Sequence, residues 1–207
     1  MKYFVKTPWW LKKLFPKRVW SIDTREKELY LTFDDGPNPV ATPFVLDELK
    51  KYGAAATFFC IGKNVAAHPA IYQRLLDEGH QAGNHTQHHL NGWETDTTTY
   101  LADINEAAAL IRSRLFRPPY GRMKSAQARS LSEHQVIMWD VLSGDFDVSL
   151  SKEDCLANVV KYAEPGSVIV FHDSEKAFPR LQYALPGVLE HFSSAGFRFK
   201  AVPGKEK

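Results

Sequence analysis

Short apolar runs alternate with longer segments whose apolar residues recur every three to four positions. The short runs read as strands: 28–33 (ELYLTF), 55–60 (AATFFC), 80–86 (HQAGNHT, running into a loop), 135–140 (QVIMWD), 166–173 (GSVIVFHD) and 197–202 (FRFKAV). The longer segments read as helices. In 41–53, Phe44, Leu46, Leu49 and Tyr52 are spaced to face a core, and Gly53 is the stop. Segment 69–79 opens with Pro69 and closes with Gly79. The longest, 97–115, is broken off by FRPPYG. Further helices are expected at 125–134, at 151–163 behind a Ser151 cap with acids in its first turn, and at 180–196. Strand and helix alternating through one domain predict an α/β fold of parallel βαβ units. About six to eight strands suffice to close a TIM-like barrel, whose chemistry gathers at the C-terminal strand ends.

The first 25 residues depart from that pattern and are set apart as a basic, aromatic segment ahead of a domain spanning 26–207. Residues 1–20 hold six Lys or Arg and six aromatics, and the first acid is Asp23. There is no uninterrupted apolar core of a signal peptide, and no run approaches the roughly 20 residues that span a bilayer. Trp10, Leu11, Leu14 and Phe15 fall on one helical face, with Lys12 and Lys13 opposite. That pattern suits contact with an anionic membrane surface. The reading that ranks ahead of it has the aromatics covering the barrel floor and the lysines solvated. The expected location is therefore cytoplasmic or peripheral at a membrane. A net charge of +2 gives no reason to expect a nucleic-acid partner. Cys60 and Cys155 have no metal-knuckle or disulfide-framework spacing and read as core residues.

Ionisable residues collect where the strands end: Asp34 and Asp35, His85 and His89, Arg117, Asp145, and His172. Two adjacent carboxylates beside an apolar run repel each other unless a cation offsets them. His85 and His89 can present both imidazoles to one point. With one carboxylate they form a three-ligand metal site open to water. Either Asp34 or Asp35 can be the ligand, and His88 competes with His89. The other aspartate is then free to act as a general base, with Arg117 as its charge partner. The rigid Pro118–Pro119 step can aim the Tyr120 N–H at a developing oxyanion. His172 suits a general acid oriented by Asp145. His68, His80, His134 and His191 lack such surroundings and read as ordinary surface or packing residues.

Taken together, these segments resemble the polysaccharide deacetylases, the carbohydrate esterase family 4 group built on the NodB homology domain. The likeness spans residues 26 to 202, and its motifs occur in order: TFDDG at 32–36, HTQHH at 85–89, RPPY at 117–120 and VFH at 170–172. The fourth motif departs. Where the family has DxxDW, this chain has LSGDF, with Leu142 for the first aspartate, Asp145 kept, and Phe146 for tryptophan. The resemblance implies a distorted (β/α) barrel of seven parallel strands. It also implies hydrolysis of N-acetyl groups on glycans containing N-acetylglucosamine, such as peptidoglycan or chitin-like oligomers, by a metal-activated water. It assigns Asp34 as base and Asp35, His85 and His89 as ligands of one divalent metal, leaving His88 out. Zinc is the first expectation, with cobalt or nickel as substitutes. Arg117 supports the base, and His172 with Asp145 supplies the acid. Tyr120, Pro118 and Phe146 fall to substrate binding. Three alternatives stand beside it: hydrolysis of another acetyl ester or C–N bond, which the same machinery would serve; a non-catalytic sugar binder, which the retained ligands, base and acid disfavour; and an Fe(II) oxygenase. The last is disfavoured by the βα pattern.

Overall fold

Apolar side chains fill both faces of the strand Glu28–Asp34 (β1), which lies in the interior of the sheet in this computed structural model of residues 3–204. A strand covered on both sides must be nearly all buried, which explains its continuous apolar run. On one side β1 pairs with Thr57–Cys60 (β2), followed outward by Gln81–Asn84 (β3), Leu115–Phe116 (β4) and Gln135–Val136 (β5). On the other side it pairs with Val168–His172 (β7), then Val141–Leu142 (β6). All seven run parallel, and Arg198–Phe199 (β8) adds a short parallel pair beside the start of β1.

Side chains alternate across this sheet. Phe33 points outward and stacks between Phe58 and Phe171, at ring distances of 4.9 and 6.0 Å. This layer is covered by helices Ala41–Lys51 (α2) and Phe178–Ser194 (α8). Thr32 and Asp34, one residue to either side, share the opposite face and both meet Arg117.

Several elements differ from the expectation. The helix expected at 97–115 ends at Ala108 (α5, Thr97–Ala108), and its last residue, Leu115, opens β4 instead. The strand expected at 135–140 is reduced to β5 at its start, and β6 follows just beyond its end at 141–142. Gly62–Ala67 (α3) is an additional helix. The remaining helices are Trp9–Leu14 (α1), Pro69–Asp77 (α4), Ser125–Ser130 (α6) and Lys152–Tyr162 (α7). Two-residue strands carry too few positions for a period to show, so only pairing with neighbours defines them.

The N-terminal segment fills the seam between β5 and β6. Lys6 bridges Val141 in antiparallel sense, Val19 bridges Ile137 in parallel, and Ser21 bridges Ser167. Leu11 and Phe15 pack on the cluster formed by Trp20, Phe116, Met123 and Val136. Two of its lysines are not solvated as the floor-covering reading expects. Lys6 and Lys12 converge on the buried carboxylate of Asp140, at 2.7 and 2.6 Å.

Candidate active site

Parallel pairing places the ends of β1 and β7 at one level, with Asp34 directly opposite His172. Around that level stand Asp35, Thr86, His89 and Tyr120, the non-glycine residues with φ near +60 to +80° among those described. Left-handed backbone at such residues costs energy and persists only where the surroundings enforce it. Here it turns Asp35 back toward the loop after β3. His89 Nε2 comes within 3.2 Å of Asp35 Oδ1, and His85 Nε2 within 3.7 Å. All three ligand atoms lie within 4.8 Å of one another.

This donor set fits a divalent cation. Asp35 Oδ1 is buried and receives no hydrogen bond. His85 Nδ1 lies 2.7 Å from the Arg117 carbonyl. A carbonyl only accepts, so Nδ1 carries the proton and Nε2 turns its lone pair toward Asp35. Burial pushes His85 down to about 4, which keeps the ring neutral and able to ligate at neutral pH. Burial opposes a charge on Asp35. The His89 ring beside it and the cationic His172 imidazole more than offset this, holding its carboxyl well below the usual range.

The second aspartate has a different partner. Arg117 Nη1 donates to Asp34 Oδ1 and to Thr32 Oγ1, both at 2.7 Å. Its Nε and Nη2 donate to the carbonyls of Ile137 and Met138, and its guanidinium lies 4.1 Å over the Phe59 ring. A fully buried guanidinium so supplied with acceptors is held in one orientation.

Asp145, fully buried, holds His172 from two directions. Its Oδ1 lies 2.8 Å from His172 Nδ1, and its Oδ2 accepts from the His172 backbone N–H at 2.8 Å. Burial lowers the affinity of this imidazole for a proton. The charge and hydrogen bond of Asp145, with smaller contributions from Asp35 and Asp34, outweigh burial and raise His172 to about 9. If protonated His172 is required for turnover, kcat/KM falls as pH rises through that region. A dication on Asp35 cancels one of these contributions and brings the limb below 9. Asp145→Asn is expected to move the alkaline limb down by roughly one to three pH units. A pH profile with the limb unmoved would remove His172 from the proton path.

The family profile described as polysaccharide deacetylase matches residues 21–139, more than half of the chain. The chain belongs to the polysaccharide deacetylase family. A peptidoglycan-N-acetylglucosamine deacetylase of Bacillus cereus is 34% identical over 192 residues, covering 89% of this chain and 90% of that protein. The peptidoglycan-N-acetylmuramic acid deacetylase PdaC of Bacillus subtilis is 36% identical over 159 residues, 74% of this chain and 34% of the longer relative. A crystal structure of a peptidoglycan N-acetylglucosamine deacetylase with 4-naphthalen-1-yl-N-oxidanyl-benzamide superposes with a TM-score of 0.87 at 30% identity, covering 95% of both chains. The curled sheet of seven parallel strands is the fold of these deacetylases.

Other residues of this deacetylase surround the cluster. Tyr120 is exposed, and its ring lies 4.6 Å from that of His89, with the hydroxyl 3.2 Å from His89 Nδ1. Pro118 is buried, so it offers little surface to a substrate and acts by directing the chain. Phe146 meets the His172 ring at 5.2 Å. His88 is kept away from the cluster by Asp103, whose carboxylate lies 2.6 Å from His88 Nδ1 and accepts the Gln87 and His88 backbone N–H groups.

Two residues here escaped the sequence reading. Tyr3, from the N-terminal segment, packs on Phe146 at 5.1 Å and donates to Asp147. It thus extends the wall beside His172, and nothing local in the sequence marks it. Asp173 is fully buried and accepts from the Gly36 N–H and the Thr42 hydroxyl, tying the loop after β1 to β7. Burial, with a contribution from Asp35, raises its carboxyl to about 8 despite the Thr42 hydrogen bond. A Cβ at position 36 would lie 2.0 Å from Asp173 Oδ2, so glycine is required there. The acid that ends the VFHD run was the available signal.

Proposed function

We propose that this deacetylase removes acetyl groups from N-acetylglucosamine units of peptidoglycan strands, using one divalent cation held by Asp35, His85 and His89. The observation that carries the reading is the convergence of the His85 and His89 imidazoles on an unpartnered Asp35 oxygen, with a fixed carboxylate on one side and a cationic imidazole on the other. Zinc is the preferred ion for two imidazoles and one carboxylate, with cobalt or nickel as substitutes. Such an ion supplies Lewis acidity, acidifying water and polarising the acetamide carbonyl.

The residues of the chain perform the remaining steps. Asp34, oriented by Arg117, accepts the proton of the attacking water. The backbone N–H of Tyr120, in its left-handed turn, donates to the oxygen on which negative charge develops. His172, oriented by Asp145, delivers a proton to the departing sugar nitrogen as the C–N bond breaks. The products are acetate and a free amine. Phe146 and Tyr120 line the approach, and Pro118 holds the turn. The named activities of the relatives support peptidoglycan as the glycan.

The deciding experiment measures acetate released from peptidoglycan and from N-acetylglucosamine oligomers, after chelation and again with Zn²⁺ restored. Release is expected to fall to background on chelation and to return with the ion. Absence of release from every glycan, with one metal bound per chain, would redirect the site to another acetyl ester or C–N bond.

A further inference from the structure

Twelve large hydrophobic side chains are exposed among the described residues, and four of them, Phe4, Trp9, Trp10 and Leu14, fall within one short stretch. They adjoin in space as well, since Phe4 meets the edge of Trp10 at 6.3 Å. Trp9 and Leu14 keep 69% and 63% of their surface in water. Adjacent exposed tryptophans do not serve the core, and α1 buries none of its residues fully.

Beside them opens a groove of about 800 Å³ between residues 14–19 and α6. Phe15 and Leu131 contribute apolar surface, Lys17, Arg18 and Arg129 supply charge, and no lining residue is acidic. Arg18 lies 4.2 Å over the Phe15 ring. Among the described residues, Lys13, Lys17, Arg18 and Arg129 meet no carboxylate, whereas Lys6 and Lys12 are committed to Asp140. That double ion pair and the seam bridges fix the segment in place, so little ordering cost attends binding.

We infer that this surface docks on the head-group layer of an anionic phospholipid bilayer. Phe4, Trp9, Trp10 and Leu14 enter the interface, while Lys13, Lys17, Arg18 and Arg129 face lipid phosphates. Aromatic side chains favour the interfacial layer, and each cation near an anionic surface adds to the attraction. Charge complementarity selects this occupant over a second copy of the chain, because a self-complementary contact would set the same unpaired cations against each other. The contact is made at the head-group layer, since α1 has six residues and is too short to cross a bilayer.

The test is co-sedimentation of the full chain with vesicles of phosphatidylcholine, alone or mixed with phosphatidylglycerol. Partitioning is expected only into the anionic vesicles, with a blue shift of tryptophan fluorescence, and it should weaken as salt is raised. Lys13→Glu/Lys17→Glu should lower the partition coefficient by roughly fivefold or more per charge. Trp9→Ala/Trp10→Ala should lower it roughly tenfold and abolish the shift. All four side chains are exposed, and unchanged thermal unfolding with unchanged acetate release from a soluble oligomer verifies the fold. Partitioning is read without turnover, so failure of the deacetylase reading leaves it intact. Equal partitioning of wild type into both vesicles, or of wild type and the Glu variant into the anionic ones, overturns the inference. A concentration-dependent dimer lost in the Trp variant would assign the surface to a second copy instead.

Discussion

Asp34→Asn is expected to reduce acetate release by roughly 10²- to 10⁴-fold, the range for loss of a positioned general base, while leaving metal content unchanged. The amide keeps the shape of the carboxylate and can still accept from Arg117 Nη1, but it takes no proton from water. Asp34 is not in the cluster of metal donors, which Asp35 joins instead. The substitution also removes the negative partner of a guanidinium that is entirely buried. Unpairing a buried charge costs up to about 3–5 kcal/mol, so the thermal midpoint is expected to fall as well. Metal analysis separates the two effects: a folded variant with stoichiometric metal and no turnover is the expected result. Wild-type turnover would mean that another group accepts the proton. Lost metal in a folded variant would mean that the two aspartates had been assigned in the wrong order.

His85→Ala is expected to lose metal and activity together, with metal affinity falling by more than about 100-fold, because even outer-shell changes cost up to that much. The ring is buried, it is one of only three donors, and its Nδ1 proton is already engaged with the Arg117 carbonyl. His88→Ala is the matched control. His88 is half exposed and paired with Asp103, so its removal is expected to leave metal and turnover in place. Titration of both apo-proteins with Zn²⁺ distinguishes them. Metal lost from His88→Ala but retained in His89→Ala would overturn the ligand set.

Much of this was legible from residue order, for a physical reason. In a parallel sheet every strand ends on the same rim, so ionisable residues that close separate apolar runs must meet there. Asp34, Asp35, His172 and the loop of His85 and His89 therefore fall on one rim by pattern alone. The covered faces of β1 and β7 likewise follow from their unbroken apolar runs.

Residue order left open which aspartate faces the histidines and which histidine joins His85. Those choices depend on left-handed backbone at Asp35 and His89 and on Asp103 drawing His88 away. The sequence determined the α/β class, the rim that carries the chemistry and the residue types gathered there, because the two- and four-residue periods are local properties of the chain. Tertiary structure alone decided the two-residue strands, the sealing of the β5–β6 seam by residues 3–22, the arrival of Tyr3 beside Phe146 and the clamp of Asp173 on Gly36. Each of these joins segments far apart in the chain, where the energy comes from pairing and burial between partners that no local period records.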